Sequence, residues 1–160
     1  MKRLVSVVLS VALLIGCFGL NAFAEEQEYP RVNHTYTTTE DSASDAWSAI
    51  RRGQYLSSGS CTIARNGYKS INISGDTNGT QTCDNIKLYL YVERSTSYAT
   101  GYSTYKDYVF DADDVYTIEK EISNIPVERG YYYRVTGVHS VTKGNTTEVT
   151  DSVTNPLNYL

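Results

Sequence analysis

From Gln54 onward, apolar and polar residues alternate, and turn-forming residues break the alternation at intervals of roughly eight to twelve residues, the pattern of short half-buried strands. Asn85 to Arg94 is the most regular stretch. Ile86, Leu88, Leu90 and Val92 fall on one face, and Lys87, Tyr89, Tyr91 and Glu93 on the other. Such a strand has one dry side and one side open to water or a partner. The same reading predicts strands over 60–65, 68–74, 105–111, 116–122, 131–141 and 146–153. Asn66-Gly67, Gly75-Asp76, Asn78-Gly79, Asp113-Asp114 and Lys143-Gly144-Asn145 supply turns between them, and Pro126 and Gly130 bracket a corner. Seven short strands with few helical signals predict an all-β fold: a single antiparallel immunoglobulin-like β-sandwich over residues 54–160.

Residues 25–53 read differently. Glu25 to Thr39 is polar, without periodicity, and predicts a flexible leader. A short helix is expected near 44–52. Ser44 suits its N-cap, Asp45 its first turn, Arg51 and Arg52 its last, and Gly53 its end, while Trp47 and Ile50 would share a face.

Residues 1–24 have the three parts of an export signal. Lys2 and Arg3 are followed by a charge-free run from Leu4 to Phe18 and then by Ala22-Phe23-Ala24, a small-x-small cleavage pattern. The apolar run is shorter than the ~20 residues of a membrane span, and no second run follows it, so no integral span is expected in the mature chain. Leu14-Ile15-Gly16-Cys17 offers a rival site, at which Cys17 would be lipidated and hold the protein on the envelope. Cleavage after Ala24 is the expectation, because the apolar stretch continues beyond Cys17.

Export changes how the cysteines read. Of the three, Cys17 leaves with the signal, and Cys61 and Cys83 remain as a pair in an oxidising compartment. A disulfide is the expectation, worth ~3 kcal/mol in the chain-entropy model. Charge points the same way as location. The chain carries 14 basic and 18 acidic residues, and two of the basic ones lie in the signal, so the mature part is acidic and unsuited to nucleic acid or anionic membrane. Asn-x-Ser/Thr triplets at Asn33, Asn72, Asn78 and Asn145 are what a chain rich in those residues produces by chance.

The segment Ile125 to Val135, with its proline corner leading into Tyr131-Tyr132-Tyr133-Arg134-Val135, resembles the corner before strand F of fibronectin type III and related immunoglobulin-like domains. That resemblance implies a structural tyrosine at Tyr131, bonded back to the corner. A second likeness rests on Arg52-Gly53-Gln54-Tyr55-Leu56 and on the later run from Gly130 to His139. Here the chain is similar to a family of small uncharacterised secreted proteins of Gram-positive bacteria, which implies location and fold but no chemistry.

Candidate chemistry is sparse. His34 falls in the leader and His139 near the end of a strand, on the face of Tyr131, Tyr133 and Val135, where a structural or hydrogen-bonding role is expected. The motifs of serine hydrolases, zinc proteases and phosphate loops are missing. Asp111, Asp113 and Asp114 are weak candidates for a cation, with a solvated turn the plainer reading. No cofactor is implied. Tyrosine is the distinctive residue, at 15 of 160. Tyr89 and Tyr91 point away from the apolar side of their strand, and Tyr98 and Tyr102 follow in the next loop. An open tyrosine face can stack on sugar rings or anchor a protein, while ordinary cross-strand pairing is the plainer reading of the same residues. The expectation is therefore a secreted, non-catalytic module for recognition or adhesion, with an unknown glycan or protein surface as ligand. An enzyme built around His139 and the Asp111–Asp114 turn, or a secreted bacteriocin-like antagonist, are the alternatives.

Overall fold

The computed structural model describes residues 32–49 and 54–159, so the segment expected to be an export signal, with Cys17 and Ala24, lies outside the described residues. Among the described residues eight strands follow one another, all paired antiparallel: β1 (Val32–Thr38), β2 (Ser42–Ala49), β3 (Leu56–Arg65), β4 (Ser70–Ser95), β5 (Ser103–Pro126), β6 (Tyr131–Lys143), β7 (Thr146–Val153) and β8 (Leu157–Tyr159). They form one sheet in the order β1-β2-β3-β4-β6-β7, with β5 also on β4 and β8 also on β6. Among the described residues no helix is long and apolar enough to cross a membrane.

The long β4–β5 hairpin explains how one sheet makes a core. The first half of β4 pairs with β3 and the second half with β6. Between them the ladder is broken: Asn78 pairs with Thr117 and Cys83 with Val115, so residues 79–82 stand against Tyr116 alone. Extra residues on one strand bend and twist a ladder. Asp114 takes up the turn on the other strand, in a left-handed conformation at φ 55° that Asp tolerates better than most residues. Past the bend, the two halves of β4 face each other. A Cβ on Gly75 would stand 2.8 Å from Leu90 Cδ2, so only glycine permits this approach. The sheet thus curls until its inner faces meet over Ile63, Ile73, Ile86, Leu88, Leu90 and Val135, all of them buried.

The curl is fastened where β2 meets β7. The buried Asp45 carboxylate accepts the N–H of Val153 at 2.8 Å, and Asn155 Nδ2 donates to Thr38 Oγ1 at 2.7 Å.

Several expectations change. The all-β antiparallel fold holds, but the strands predicted over 68–74 and 85–94 are one strand, β4, and those over 105–111 and 116–122 are one strand, β5. Their glycine and aspartate dipeptides mark the bend of a hairpin instead of separate turns. From Val32 the span expected as a leader enters the sheet as β1, its residues 25–31 lying outside the described residues, and the helix expected near 44–52 is strand β2 as far as Ala49. Burial there has period two: Ala43, Asp45 and Trp47 are inside, and Ala46 and Ser48 outside. Residues 50–53 lie outside the described residues.

The expected Cys61–Cys83 bridge is not formed; both thiols are free and buried. Cys61 Sγ donates to the carbonyl of Val135 at 3.5 Å, beside Gly137. Cys83 sits in the bend, donating to the carbonyl of Gln81 at 3.2 Å, and burial raises the pKa of its thiol. Register, not number, decides pairing, because a disulfide needs Cα atoms within about 7 Å. The corner tyrosine also moves by two residues. Tyr133, fully buried, accepts the N–H of Glu128 at 2.9 Å and donates to its carbonyl at 3.3 Å. Tyr131 instead lies under Arg94, whose guanidinium carbon is 4.5 Å from its ring centre.

Candidate recognition face

The second half of β4 positions the most distinctive surface. Ile86, Leu88, Leu90 and Val92 are fully buried, so Lys87, Tyr89, Tyr91 and Glu93 must stand on the outer face. The register extends that face sideways. Val109 of β5, Tyr89, Val138 of β6 and Asp151 of β7 form one row across the strands, and Asp107, Tyr91, Thr136 and Val153 form the next. The Tyr89 and Tyr91 rings are parallel within 4°, with centres 6.4 Å apart. Valines leave the patch open on both flanks: Val109 is 55% exposed and Val149, on β7, 60%.

Polar pairs border the aromatic rows. Toward one end Lys87 Nζ meets Asp111 at 3.0 Å. Toward the other, Arg134 Nε donates to Glu93 Oε2 at 2.7 Å, and Thr136 Oγ1 donates to the same oxygen at 3.0 Å. The loop after β4 folds onto this end. Ser95 Oγ donates to the carbonyl of Thr100 at 2.6 Å and accepts the N–H of Ser97 at 3.0 Å. Tyr102 lies against the Arg134 guanidinium, 4.1 Å from carbon to ring centre, and donates its hydroxyl to the carbonyl of Tyr98 at 2.9 Å. Burial under this packing raises the Tyr102 pKa. Tyr98 meets Tyr132 edge-on at 5.6 Å yet stays 57% exposed. The structure therefore brings the four singled-out tyrosines together as two pairs, Tyr89 with Tyr91 and Tyr98 with Tyr102, on either side of Glu93–Arg134.

Asp111 and Asp113 are engaged locally. Asn85 Nδ2 donates to Asp111 and, at 2.8 Å, to Asp113, and these bonds with Lys87 hold the Asp111 pKa below its ordinary value. Among the described residues no group of three or more His, Cys, Asp or Glu is arranged to hold a metal ion.

His139 lies on the inner face, as its parity with Tyr133 and Val135 requires, and the β4–β6 register runs unbroken past Gly137. Its Nδ1 is 2.9 Å from Thr77 Oγ1 and its Nε2 2.9 Å from Ser152 Oγ. Burial pushes its pKa down to about 4, so the ring is neutral at pH 7. The Trp47 ring stands 6.2 Å from it. The sheet itself separates His139 from Asp111, which faces outward beside Lys87; the two share no site.

The pattern did not reveal Thr77, Ser152 and Asp45, the polar partners between the layers. Asp45, assigned to a helix turn, accepts both the Val153 N–H and the Nδ1–H of His34, which lies 3.0 Å from Oδ2. The signal for it was present in the alternation Ala43, Asp45, Trp47, in which a carboxylate occupies an inward position.

The sequence profile of one protein family, described as a family of unknown function (DUF6147), matches residues 21–157. No curated protein and no solved structure matches the chain.

Proposed function

The chain belongs to that family of unknown function, with no activity to carry over, and we propose from its sequence and structure that it is a secreted, non-catalytic module that recognises a partner outside the cell with the outer face of β4. The observation that carries this reading is the parallel Tyr89–Tyr91 pair, set among open valines on the wet side of the sheet. Such a pair offers large, rigid contact area at low entropic cost. The fold spends two aromatic side chains where the core does not need them. The succession of a basic start at Lys2-Arg3, an apolar run from Leu4 to Phe18 and Ala22-Phe23-Ala24 supports export, with release after Ala24. The backbone-bonded Tyr133 at the corner before β6 supports a kinship of architecture with immunoglobulin-like domains.

The test is binding of the purified protein to an array of glycans and surface proteins, compared with a Tyr89→Ala, Tyr91→Ala double variant. Loss of the captured partner in the double variant is expected. Equal binding by both proteins sinks the assignment of this face. The mass of the protein recovered from the medium fixes the cleavage site.

A further inference from the structure

The charges around Tyr89 and Tyr91 narrow the partner. Both cations of the face are already engaged: Lys87 by Asp111 and Arg134 by Glu93. Two carboxylates are not. Asp107 stands directly across the ladder from Tyr91, and Asp151 lies across from Val138, itself across from Tyr89. Among the described residues neither has an ion-pair or hydrogen-bonding partner. The free charge of the face is therefore negative. A tyrosine ring adds to it, since the ring face carries the negative part of its quadrupole and attracts cations. The domain already uses its tyrosines in this way: Arg134 covers Tyr102, and Arg94 lies between Tyr105 and Tyr131 at 4.6 and 4.5 Å from their ring centres.

We propose that the partner of this face is a polypeptide segment bearing lysine or arginine side chains, held by cation–π contact with Tyr89 and Tyr91 between the carboxylates of Asp107 and Asp151. The proposal rests on the reading that this face is the binding face, and it adds the chemistry of what binds. The dimensions suit one segment lying across the strands. Asp107 on β5 and Asp151 on β7 are three strand spacings and one row apart, roughly 16 Å. An extended peptide covers that in about five residues. An anionic glycan or a nucleic acid is repelled by the same two groups. A neutral sugar would gain from the rings but not from the carboxylates.

The probe is decalysine, titrated calorimetrically into the purified protein, with Nε-acetylated decalysine and a neutral chitooligosaccharide run beside it. Decalysine is expected to bind and to weaken with added salt, and the acetylated peptide to give no signal. Tyr89→Phe with Tyr91→Phe keeps the ring faces and should keep the affinity. Tyr89→Leu with Tyr91→Leu keeps apolar area without the quadrupole and should weaken binding roughly tenfold. Asp107→Asn with Asp151→Asn should weaken it and flatten its salt dependence. Glu119→Gln with Glu121→Gln, on the other half of the sheet, should change neither. An unshifted urea midpoint certifies that each variant is folded.

The proposal is overturned if the leucine variant binds as tightly as the parent, or if the Glu119/Glu121 variant loses as much as the Asp107/Asp151 one. If the neutral sugar binds through Tyr89 and Tyr91 and decalysine does not, the cationic partner is wrong and the recognition face stands. If neither probe binds and the array shows no tyrosine-dependent partner, both fall.

Discussion

Acid should loosen this domain through one residue. His139 is fully buried, touches Thr77 and Ser152 with its two ring nitrogens, and has its pKa pushed from 6.5 to about 4 by burial. The folded state therefore favours the neutral ring, and the unfolded chain takes up the proton first. Stability from this group is complete above pH 6.5 and is lost as pH falls toward 4. The full shift corresponds to about 3 kcal/mol, of which about 2 kcal/mol is gone by pH 5. That is a large part of a small domain's stability. Cys61, packed nearby against Gly137, does not offset it, because burial raises its pKa to about 11 and keeps it a thiol. The measurement is urea unfolding followed by Trp47 fluorescence at half-unit steps from pH 7.5 to 4.5. Comparison is with His139→Gln, which can bond both hydroxyls but does not titrate. The parent should lose about 1.2 kcal/mol per pH unit more than the variant between pH 6 and 4.5. Parallel curves for the two proteins would refute the reasoning, because every other titrating group is common to both.

Three further outcomes follow from the packing. Gly75→Ala places a methyl group 2.8 Å from Leu90 Cδ2 and 2.9 Å from the Ser60 carbonyl, and should lower stability by roughly 1–3 kcal/mol in a urea titration. Tyr133→Phe removes the hydroxyl that serves both the N–H and the carbonyl of Glu128 and should cost about 1 kcal/mol or more, whereas Tyr131→Phe should cost almost nothing; the reverse order would restore Tyr131 as the corner residue. The folded protein should show no thiol to a thiol reagent, and the denatured, unreduced chain from residue 25 onward should show both Cys61 and Cys83; a denatured chain with none would establish the bridge that the fold does not make.

What could be read from the sequence depended on whether the deciding contact was local. The strand from Asn85 to Arg94 was plain because one side is dry and the other open, which leaves a clean alternation. The parity argument carried His139 correctly to the inner face, since no bulge intervenes at Gly137. The continuity of β4 was not legible. Gly75 resembles a turn residue when read with its neighbours, and its reason lies in the opposite layer at Leu90. Asp45 looked like a helix-start residue because its partner, the Val153 N–H, comes 108 residues later. Tyr131 and Tyr133 share a face by period two, and only the reach to Glu128 chooses between them. The cysteine pairing was inferred from number and compartment, neither of which carries register. At the candidate site, Tyr89 and Tyr91 were legible as outward residues. The free carboxylates beside them were not, since Asp107 and Asp151 reach those rings through β5 and β7.

A sandwich assembled from two separate sheets has a plane along which it can part, crossed only by loops. This domain has none, because β4 runs through both layers and carries its hydrogen bonds from one to the other. Peeling the layers apart would require breaking β4 itself at residues 79–82, and neither half would then keep an inner face covered. The shared strand therefore turns two packed surfaces into one cooperative unit. A load applied to the outer face therefore meets no weak joint between the layers behind it.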